Sequence, residues 1–357
     1  MANGSILNSN FFKISLICAF FLILGAFPKS AFSQESASEG KDKKFEPKDV
    51  IMEHISDSHS WPFTLPFVEE KHIPLPVILY TDKGLDIFSS GKLFPEGTVY
   101  NSGQYSYKLE ANKIKVVDAS GAIDEAASKK VWDFSITRNV VSMFMTLTLL
   151  LIVFLSISSS YSKRVGKAPK GLQSWLEPLI IFVRDDIAIP NMGHKYARFM
   201  PLLLTIFFFI LINNLFGMIP FFPGGYNLTG NIAVTLTLSL IILFVVNLNG
   251  NKHYWKHIFV PNPWWLFPIM IPVEIVSIFS KPIALMIRLF ANITAGHIVI
   301  LSLISLIFIF KTVWVSPVSV GFVVFMDCIE LLVAFLQAYI FTLLSSLFIG
   351  MAIEEHH

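Results

Sequence analysis

The chain has few charged residues and almost no cysteine. Only 15% of its 357 residues are charged, whereas about 25% is usual in soluble domains. Hydrophobic residues make up 54% of the chain, so the composition excludes an ordinary soluble protein and indicates a membrane protein. Two cysteines occur, and Cys18 falls in a segment that we expect to be removed, which excludes a disulfide within the mature chain. The sequence also lacks a GxxxxGK(S/T) loop, so a phosphate site of that kind is excluded.

Residues 1–33 are predicted to be a secretory signal peptide. Lys13 supplies the positive charge, residues 14–27 form the apolar core, and Ala31-Phe32-Ser33 provides the small residues of a cleavage site. This apolar core is short for a membrane span, which needs about 20 residues. An ordinary first transmembrane helix is the alternative interpretation.

Residues 34–130 are predicted to form a small β-rich exported domain. Segments 73–80, 93–100 and 105–117 are rich in β-forming residues. Turn signals such as Lys83-Gly84 separate these segments, which is typical of short antiparallel strands.

Residues 131–357 are predicted to form an all-α polytopic membrane domain of about five crossing helices, the last two long and tilted. The hydrophobic stretches are residues 139–158, 199–222, 228–248, 264–310 and 316–353, the fourth of which is broken by Pro268, Pro272 and Pro282. Apolar residues recur every three or four positions in residues 172–189, which predicts an amphipathic helix on the membrane surface.

Lysine and arginine in the loops predict the orientation. Loop 162–198 carries seven basic residues and loop 249–263 carries Lys252 and Lys256, whereas the turn between the second and third stretches carries none. The positive-inside rule therefore places both basic loops in the cytoplasm, the mature N-terminus outside and the C-terminus inside. Lys129, Lys130 and Arg138 break this rule, but a translocated domain is largely exempt from it.

Arg288 is the most informative residue, because it lies within apolar sequence. An arginine at the centre of a membrane helix costs about 2.5–3.5 kcal/mol on insertion scales, so such a residue is a functional-site hypothesis by default. Asn292 is four residues further on and shares its face of a helix. His297 is the other ionisable residue between Lys281 and Lys311.

The polar residues of the last two stretches share one register. If these stretches form an antiparallel hairpin that turns near residue 313, Arg288 lies at the depth of Gln337, and His297 lies at the depth of Glu330. His297 and Glu330 then belong to the outer half of the membrane. A histidine beside a carboxylate is a plausible proton relay, since both groups can titrate near neutral pH. Arg288 would block the direct route across the membrane.

Four further polar residues are candidates with open alternatives. Asp327, one turn from Glu330, either widens the outer path or is a solvated group near the interface. Asn214 and Asn231 either line the same aqueous path or bond two helices together. Glu274 is either an acid of the inner path or a partner of Lys281.

A metal site is not expected. His54, Asp57 and His59 resemble a cluster, but spacings of three and two residues suit neither one helix face nor a closed zinc site.

The membrane domain resembles subunit a of the bacterial F-type ATP synthase over about residues 139–357. The most specific stretch begins at Ser280-Lys281-Pro282, continues through Arg288-Leu289-Phe290-Ala291-Asn292 and ends at Ala295-Gly296-His297. Glu330 with residues 336–341 and the ending at residues 351–356 support the match.

The resemblance implies a stator subunit that conducts H⁺, or alternatively Na⁺, to and from the carboxylate of a rotating c-ring. The resemblance also implies that Arg288 is the essential arginine and that Glu274 lies by the inner half-channel. It places four residues at family positions in the outer half-channel or next to the arginine: Asn292, His297, Glu330 and Gln337. In well-known bacterial members the acid and the histidine are exchanged relative to this chain. The resemblance explains neither the signal sequence nor the exported domain.

The resemblance further implies that the chain itself catalyses no reaction and binds no cofactor or nucleic acid. It implies a place in the bacterial inner membrane, in contact with lipids, b-type stalk subunits and the rest of the synthase. Two rivals remain. A self-contained ion-coupled secondary transporter would normally show an internal repeat, and a receptor or scaffold would not need the shared register.

Overall fold

The computed structural model describes residues 57–63, 71–95, 97–110, 112–118, 121–163, 168–219, 224, 226, 228–259, 267–310 and 315–354. The predicted signal peptide and His54 lie outside these residues. The chain divides into two compact units: the first comprises Met1–Val141, Met218–Tyr226 and Gly296–Glu330, and the second comprises Ser142–Gly217, Asn227–Ala295 and Leu331–His357.

The β-rich part of the first unit, which we predict to be exported and call the exported part, contains eight short strands in three antiparallel sheets among its described residues. β1 pairs with β2, β3 lies between β4 and β8, and β6 lies between β5 and β7. The strands are β1 Ser60–Phe63, β2 Lys71–Pro74, β3 Pro76–Thr81, β4 Gly84–Ser89, β5 Val99–Asn101, β6 Ser106–Glu110, β7 Lys113–Val117 and β8 Trp132–Asp133. A single turn of helix, α1 (Glu125–Ser128), is capped by the Asp124 carboxylate.

The core of this part combines the inner faces of the two three-stranded sheets. Val77, Leu79 and Phe88 come from one sheet, and Tyr107 and Leu109 come from the other. Phe88 stacks on Tyr107 with ring centroids 5.6 Å apart. Side chains alternate along each strand, so one face of each sheet enters the core.

One carboxylate is buried in this core and is satisfied by hydrogen bonds. Asp86 accepts from the Tyr107 hydroxyl at 2.6 Å and from the Ser102 hydroxyl at 2.9 Å. Burial and the hydrogen bond to Asp86 raise the pKa of Tyr107. The two donors stabilise a charge that would otherwise be costly to bury.

The strands agree with the sequence prediction only in part. The turn at Lys83-Gly84 joins β3 and β4, as expected. Among the described residues of segment 93–100, only Val99 and Tyr100 are in a strand, and Leu93 ends the 3-10 turn Ser90–Leu93. β8 lies beyond residue 130 and pairs with β3, so the β-rich part includes Trp132 and Asp133.

The described residues of the membrane domain are mostly helical. Its helices are α2 Arg138–Lys163, α3 Leu172–Phe182, α4 Ile189–Met192, α5 Tyr196–Met218, α6 Ile232–Leu248, α7 Lys252–Phe259, α8 Phe267–Phe310 and α9 Val315–Ile353. Four helical stretches are long and apolar enough to cross a membrane, and α6 is a shorter apolar helix of 17 residues. The chain is therefore a mostly helical, polytopic membrane protein.

The proline breaks expected in the fourth hydrophobic stretch are absent from α8. Pro272 and Pro282 lie inside one continuous helix of 44 residues. Each proline removes one backbone donor, but long apolar helices in membranes tolerate such positions better than helices in water do.

The expected surface helix at residues 172–189 is also corrected. α3 ends at Phe182 and runs into a π-helical turn, Val183–Ala188, followed by α4. Val183, Ile187 and Ala188 are fully buried. The prediction of a surface helix is therefore wrong for residues 183–188, whereas Leu172 and Trp175 at the start of α3 are exposed, and for α3 it stays a prediction.

The exported part is joined to the first turn of α2 without a free linker. The Arg138 amide donates to the Ser58 carbonyl at 2.9 Å, and the Asn139 amide donates to the Asp57 carboxylate at 3.2 Å. The buried ring of His59 lies 3.0 Å from the carboxylate of Asp133. These bonds hold β1 and β8 against the residues at which the membrane helix begins.

The His59–Asp133 contact should make the attachment sensitive to acid. Burial alone would raise the pKa of Asp133, but hydrogen bonds from His59 and Ser135 outweigh it, and the pKa is lowered overall. A lowered pKa contributes stability above the usual aspartate value of about 3.9, and this stability is lost as the pH falls below it.

We predict that Asp133→Asn speeds hydrogen exchange of the Phe134 and Ile136 amides at pH 7, because both amides bond to β3. When the two are compared at the same pH, the difference between wild type and variant should shrink as the pH falls below the usual aspartate value of about 3.9. Glu125→Gln, an exposed carboxylate of the same unit, is the control. A difference that persists undiminished at pH 2.5, or none at pH 7, would contradict this account.

Candidate functional site

His297 and Glu330 meet in the first unit, as their shared register predicted. His297 Nδ1 lies 3.5 Å from Glu330 Oε1, and the two side chains are 20% and 8% exposed. This separation is longer than a typical N–H···O hydrogen bond. The two groups thus lie side by side without a normal hydrogen bond, and Glu330 is almost wholly removed from solvent.

Gly296 makes room for the Glu330 carboxylate. A Cβ atom at this position would lie 3.2 Å from Glu330 Oε1 and 3.4 Å from Cδ. Any larger residue must displace the carboxylate from its place beside α8. The sequence analysis did not assign Gly296 a role, although it immediately precedes His297.

Asp327 lies on α9 one turn before Glu330 and is half-buried. Residues three apart on a helix share a face, so the two carboxylates point to the same side of α9. Asp327 thus lies one turn nearer the start of α9 than Glu330, and the choice between path and solvated surface stays open.

In the second unit, Arg288 is exposed. The buried stripe of this part of α8 consists of Leu285, Leu289 and Ile293, and Arg288 lies outside it. No hydrogen bond or ion pair to Arg288 occurs among the residues that the structure describes. An unpaired guanidinium within a membrane span is unfavourable, so its counter-charge must come from outside this part of the chain.

Small residues surround Arg288 on the exposed face of α8. Ala284, Ala291 and Ala295 are all exposed and lie one or two turns from it. Small residues let the backbone of a neighbouring membrane helix approach closely. This face is therefore shaped for contact with another helix.

Asn292 is bonded to Gln337. The Asn292 side-chain amide donates to Gln337 Oε1 at 2.8 Å, and Gln337 is 1% exposed. We expected Gln337 beside Arg288; its described hydrogen bond is instead with Asn292, four residues further along α8. The bond joins α8 to α9 on the helix turn that follows Arg288.

Asn214 and Asn231 have structural partners. Asn214 donates to the Ala334 carbonyl at 3.2 Å and accepts from the Thr229 hydroxyl at 2.8 Å, which joins α5 to α9. The Asn231 side chain caps α6 by accepting from the Ala233 amide. Asn214 thus bonds helices and Asn231 caps one, and a place of either residue in an aqueous path stays a prediction.

Glu274 lies in the second unit near the cavity that Tyr254 and Lys281 line. Burial raises the pKa of Tyr254, and the negative charge of Glu274 raises it further. Lys281 Nζ lies over the Phe348 ring, 5.4 Å from its centroid. Glu274 is half-buried, so both alternatives for it remain.

Sequence reasoning missed a buried polar contact between α2 and α5. The Thr146 hydroxyl donates to Asn213 Oδ1 at 2.9 Å, and Asn213 donates to the Phe209 carbonyl. Buried polar side chains in membrane spans commonly join helices in this way. An asparagine in an apolar run was the available signal, and it was read only at the neighbouring Asn214.

The described residues hold no group of three or more His, Cys, Asp or Glu suited to a metal ion. His59 instead contacts Asp133, and Asp57 accepts from Asn139.

Residues 140–350, which include all nine candidate site residues, match the family described as ATP synthase A chain. The chain belongs to this family. Residues 50–134 match a separate family described as a domain of unknown function, DUF8433.

Relatives named ATP synthase subunit a support the assignment. The chain is 48% identical over 233 residues to the protein of Chloroherpeton thalassium, and the matched region covers 63% of this chain and 69% of the relative. It is 47% identical over 228 residues to ATP synthase subunit a 2 of Chlorobaculum tepidum, covering 62% and 64%. The protein of Anaeromyxobacter dehalogenans is 44% identical over 235 residues, covering 63% of this chain and 59% of the relative.

We predict a steep size dependence at Gly296. Gly296→Ala should lower the thermal stability of the full chain in nanodiscs relative to Gly321→Ala, a matched control where nothing lies within 4 Å of the added atom. Gly296→Val should lower it more, since overpacking costs about 1–3 kcal/mol. The measurement is the melting temperature by scanning fluorimetry. Equal effects at the two glycines would show that Glu330 does not need the space.

Proposed function

We propose that this chain is the proton-translocating stator subunit of an F-type ATP synthase. It conducts H⁺ through two offset paths to and from a carboxylate on a rotating c-ring, and this flow drives rotation and ATP synthesis. The observation that carries the proposal is the exposed Arg288 on a face of small residues, without a counter-charge among the described residues. A carboxylate carried past this face by a neighbouring helix would supply the missing anion.

The outer path uses Asp327, His297 and Glu330. A proton that arrives near Asp327 is passed between the imidazole of His297 and the carboxylate of Glu330, which lie 3.5 Å apart. Histidine and glutamate are exchanged in this chain relative to well-known bacterial members. The order in which the two groups take the proton is therefore not carried over from those members. The proton then protonates the carboxylate of the rotor.

Arg288 separates the two paths. A fixed positive charge repels a free proton and favours the ionised form of a carboxylate beside it. The neutral rotor site therefore leaves through lipid, and on its return from the other side it releases its proton near Arg288. Each proton that crosses 100 mV contributes about 2.3 kcal/mol.

The inner path leads by Glu274 toward the cytoplasm. The Asn292–Gln337 bond, 2.8 Å long, fixes α8 against α9 next to Arg288, and this keeps the guanidinium at a constant height. Na⁺ is the alternative ion, because the binding carboxylate belongs to the rotor. The chain needs no cofactor for this function and catalyses no covalent step.

The proposed setting is the bacterial inner membrane, with a signal peptide over residues 1–33. Five helices cross the membrane when α6 is counted with the four longer stretches, the mature N-terminus is periplasmic and the C-terminus is cytoplasmic. The partners are the c-ring, b-type stalk subunits and the remainder of the synthase, together with membrane lipids but no nucleic acid.

A self-contained ion-coupled transporter is the rival proposal, and purification separates the two. The stator proposal expects the chain to co-isolate with a ring of small hairpin subunits. The transporter proposal expects the chain alone, in liposomes, to drive solute uptake by an ion gradient.

We predict that Arg288→Ala abolishes ATP synthesis in membrane vesicles while the chain still inserts and assembles. Without the cation, protons pass between the two paths, so passive proton permeability should rise. Ile287→Ala, the adjacent exposed position, is the matched control and should retain synthesis. Normal synthesis by Arg288→Ala would reject the mechanism.

We predict that the His297–Glu330 pair tolerates exchange but not doubling. His297→Glu places two carboxylates together and Glu330→His places two imidazoles together, so each should lower ATP-driven proton pumping by about 100-fold or more. The double variant His297→Glu with Glu330→His restores one acid and one base and should recover much of the flux. Pumping is measured by dye quenching in vesicles. Full activity of both single variants would remove the pair from the path.

A further inference from the structure

The outward side of the β4-β3-β8 sheet is apolar. Tyr80, Leu85, Ile87, Trp132 and Phe134 lie on it and are 54–67% exposed. Tyr80 is opposite both Leu85 and Trp132 in the strand register. We call these five residues the outer apolar face.

The other three-stranded sheet of the same unit has a polar outward side, so an apolar outward side is not a general property of the exported part. Its outward side carries Lys108, Glu110, Lys113 and Lys115, with Lys115 Nζ 2.8 Å from the Glu110 carboxylate. An antiparallel sheet with one side in water normally shows this alternation of apolar and polar residues. Of these two described sheets, the one that contains β8 departs from this alternation.

The outer apolar face lies close to the place where the membrane helix begins. Phe134 donates its amide to the Ile78 carbonyl at 2.9 Å, and four residues later the Arg138 amide is bonded to Ser58. Four residues span at most about 14 Å. Trp132 and Phe134 are therefore held near the first turn of α2, within the first unit.

α2 is long enough for its first turn to reach the lipid headgroups. Its 26 residues extend about 39 Å, and the hydrocarbon core is about 30 Å thick. The headgroup layer adds about 5–7 Å on each side. A sheet fastened to the start of α2 thus lies at the height of the headgroups.

The residue types also match a lipid interface. Tryptophan and tyrosine are enriched at the boundary between membrane and water, because their rings are apolar with one polar group. Lys129 is exposed and lies three residues before Trp132, and basic residues near a membrane surface are attracted to anionic headgroups.

We propose that the outer apolar face contacts the headgroup and upper acyl region of the bilayer, so that the exported part rests on the membrane through this sheet. The contact gives the exported part a second attachment besides α2. It requires no other subunit and is independent of the proton path.

The test uses the full chain in lipid nanodiscs, with Cys18 and Cys328 replaced by serine. Ile87→Cys, on the outer apolar face, and Lys113→Cys, on the outward side of the other sheet, each carry the same environment-sensitive fluorophore. Nitroxide lipids labelled at the headgroup or the upper acyl chain should quench the label at residue 87 at least twofold more than the label at residue 113. Equal quenching at the two positions would overturn the proposal.

A second arm separates lipid from protein as the occupant. Lipid quenching at residue 87 should be the same for nanodiscs that hold one chain and for the intact complex. The lipid assignment would be overturned if nitroxide lipids failed to quench the label at residue 87 in nanodiscs that hold one chain. It would also be overturned if the label were shielded from aqueous iodide only when other subunits or a second copy are present. Leu85→Cys carries the same expectations if Ile87→Cys does not fold.

Discussion

The constraint on which the site depends is the cost of a guanidinium without a counter-charge in a membrane span. Arg288 is exposed and lies outside the buried stripe of α8. The helix around it has alanines where larger side chains would keep a neighbour away. A chain that retains such a residue must meet an anion from elsewhere, and this requirement makes the family's partnership with a rotor physically intelligible.

Two polar contacts between α8 and α9 serve different purposes. The Asn292–Gln337 hydrogen bond joins neutral groups and does not change with protonation. The His297–Glu330 contact joins two titratable groups, and Gly296 provides its space. A contact between neutral groups and a contact between titratable groups thus follow Arg288 in turn along α8.

The sequence predicted the polar contacts of the long hairpin better than it predicted the local conformations. When two long helices pair antiparallel, one register fixes which residues lie at the same depth, so residue numbers alone placed His297 beside Glu330. The π-helical turn at Val183–Ala188 and the continuous α8 were not predicted, because tertiary packing overrides local proline and periodicity signals. Asn214 and Asn231 looked alike in the sequence, but one joins helices and the other caps its own helix. β8 was missed because two residues carry too little pattern.

The direct bonding of Asp57 and Ser58 to the first turn of α2 has a practical consequence for protein engineering. No free linker separates the exported part from the helix, so a cut, tag or domain fusion placed between Trp132 and Arg138 would change where α2 enters the bilayer. A graft of this exported part onto another protein should therefore keep residues 57–141 together as one cassette.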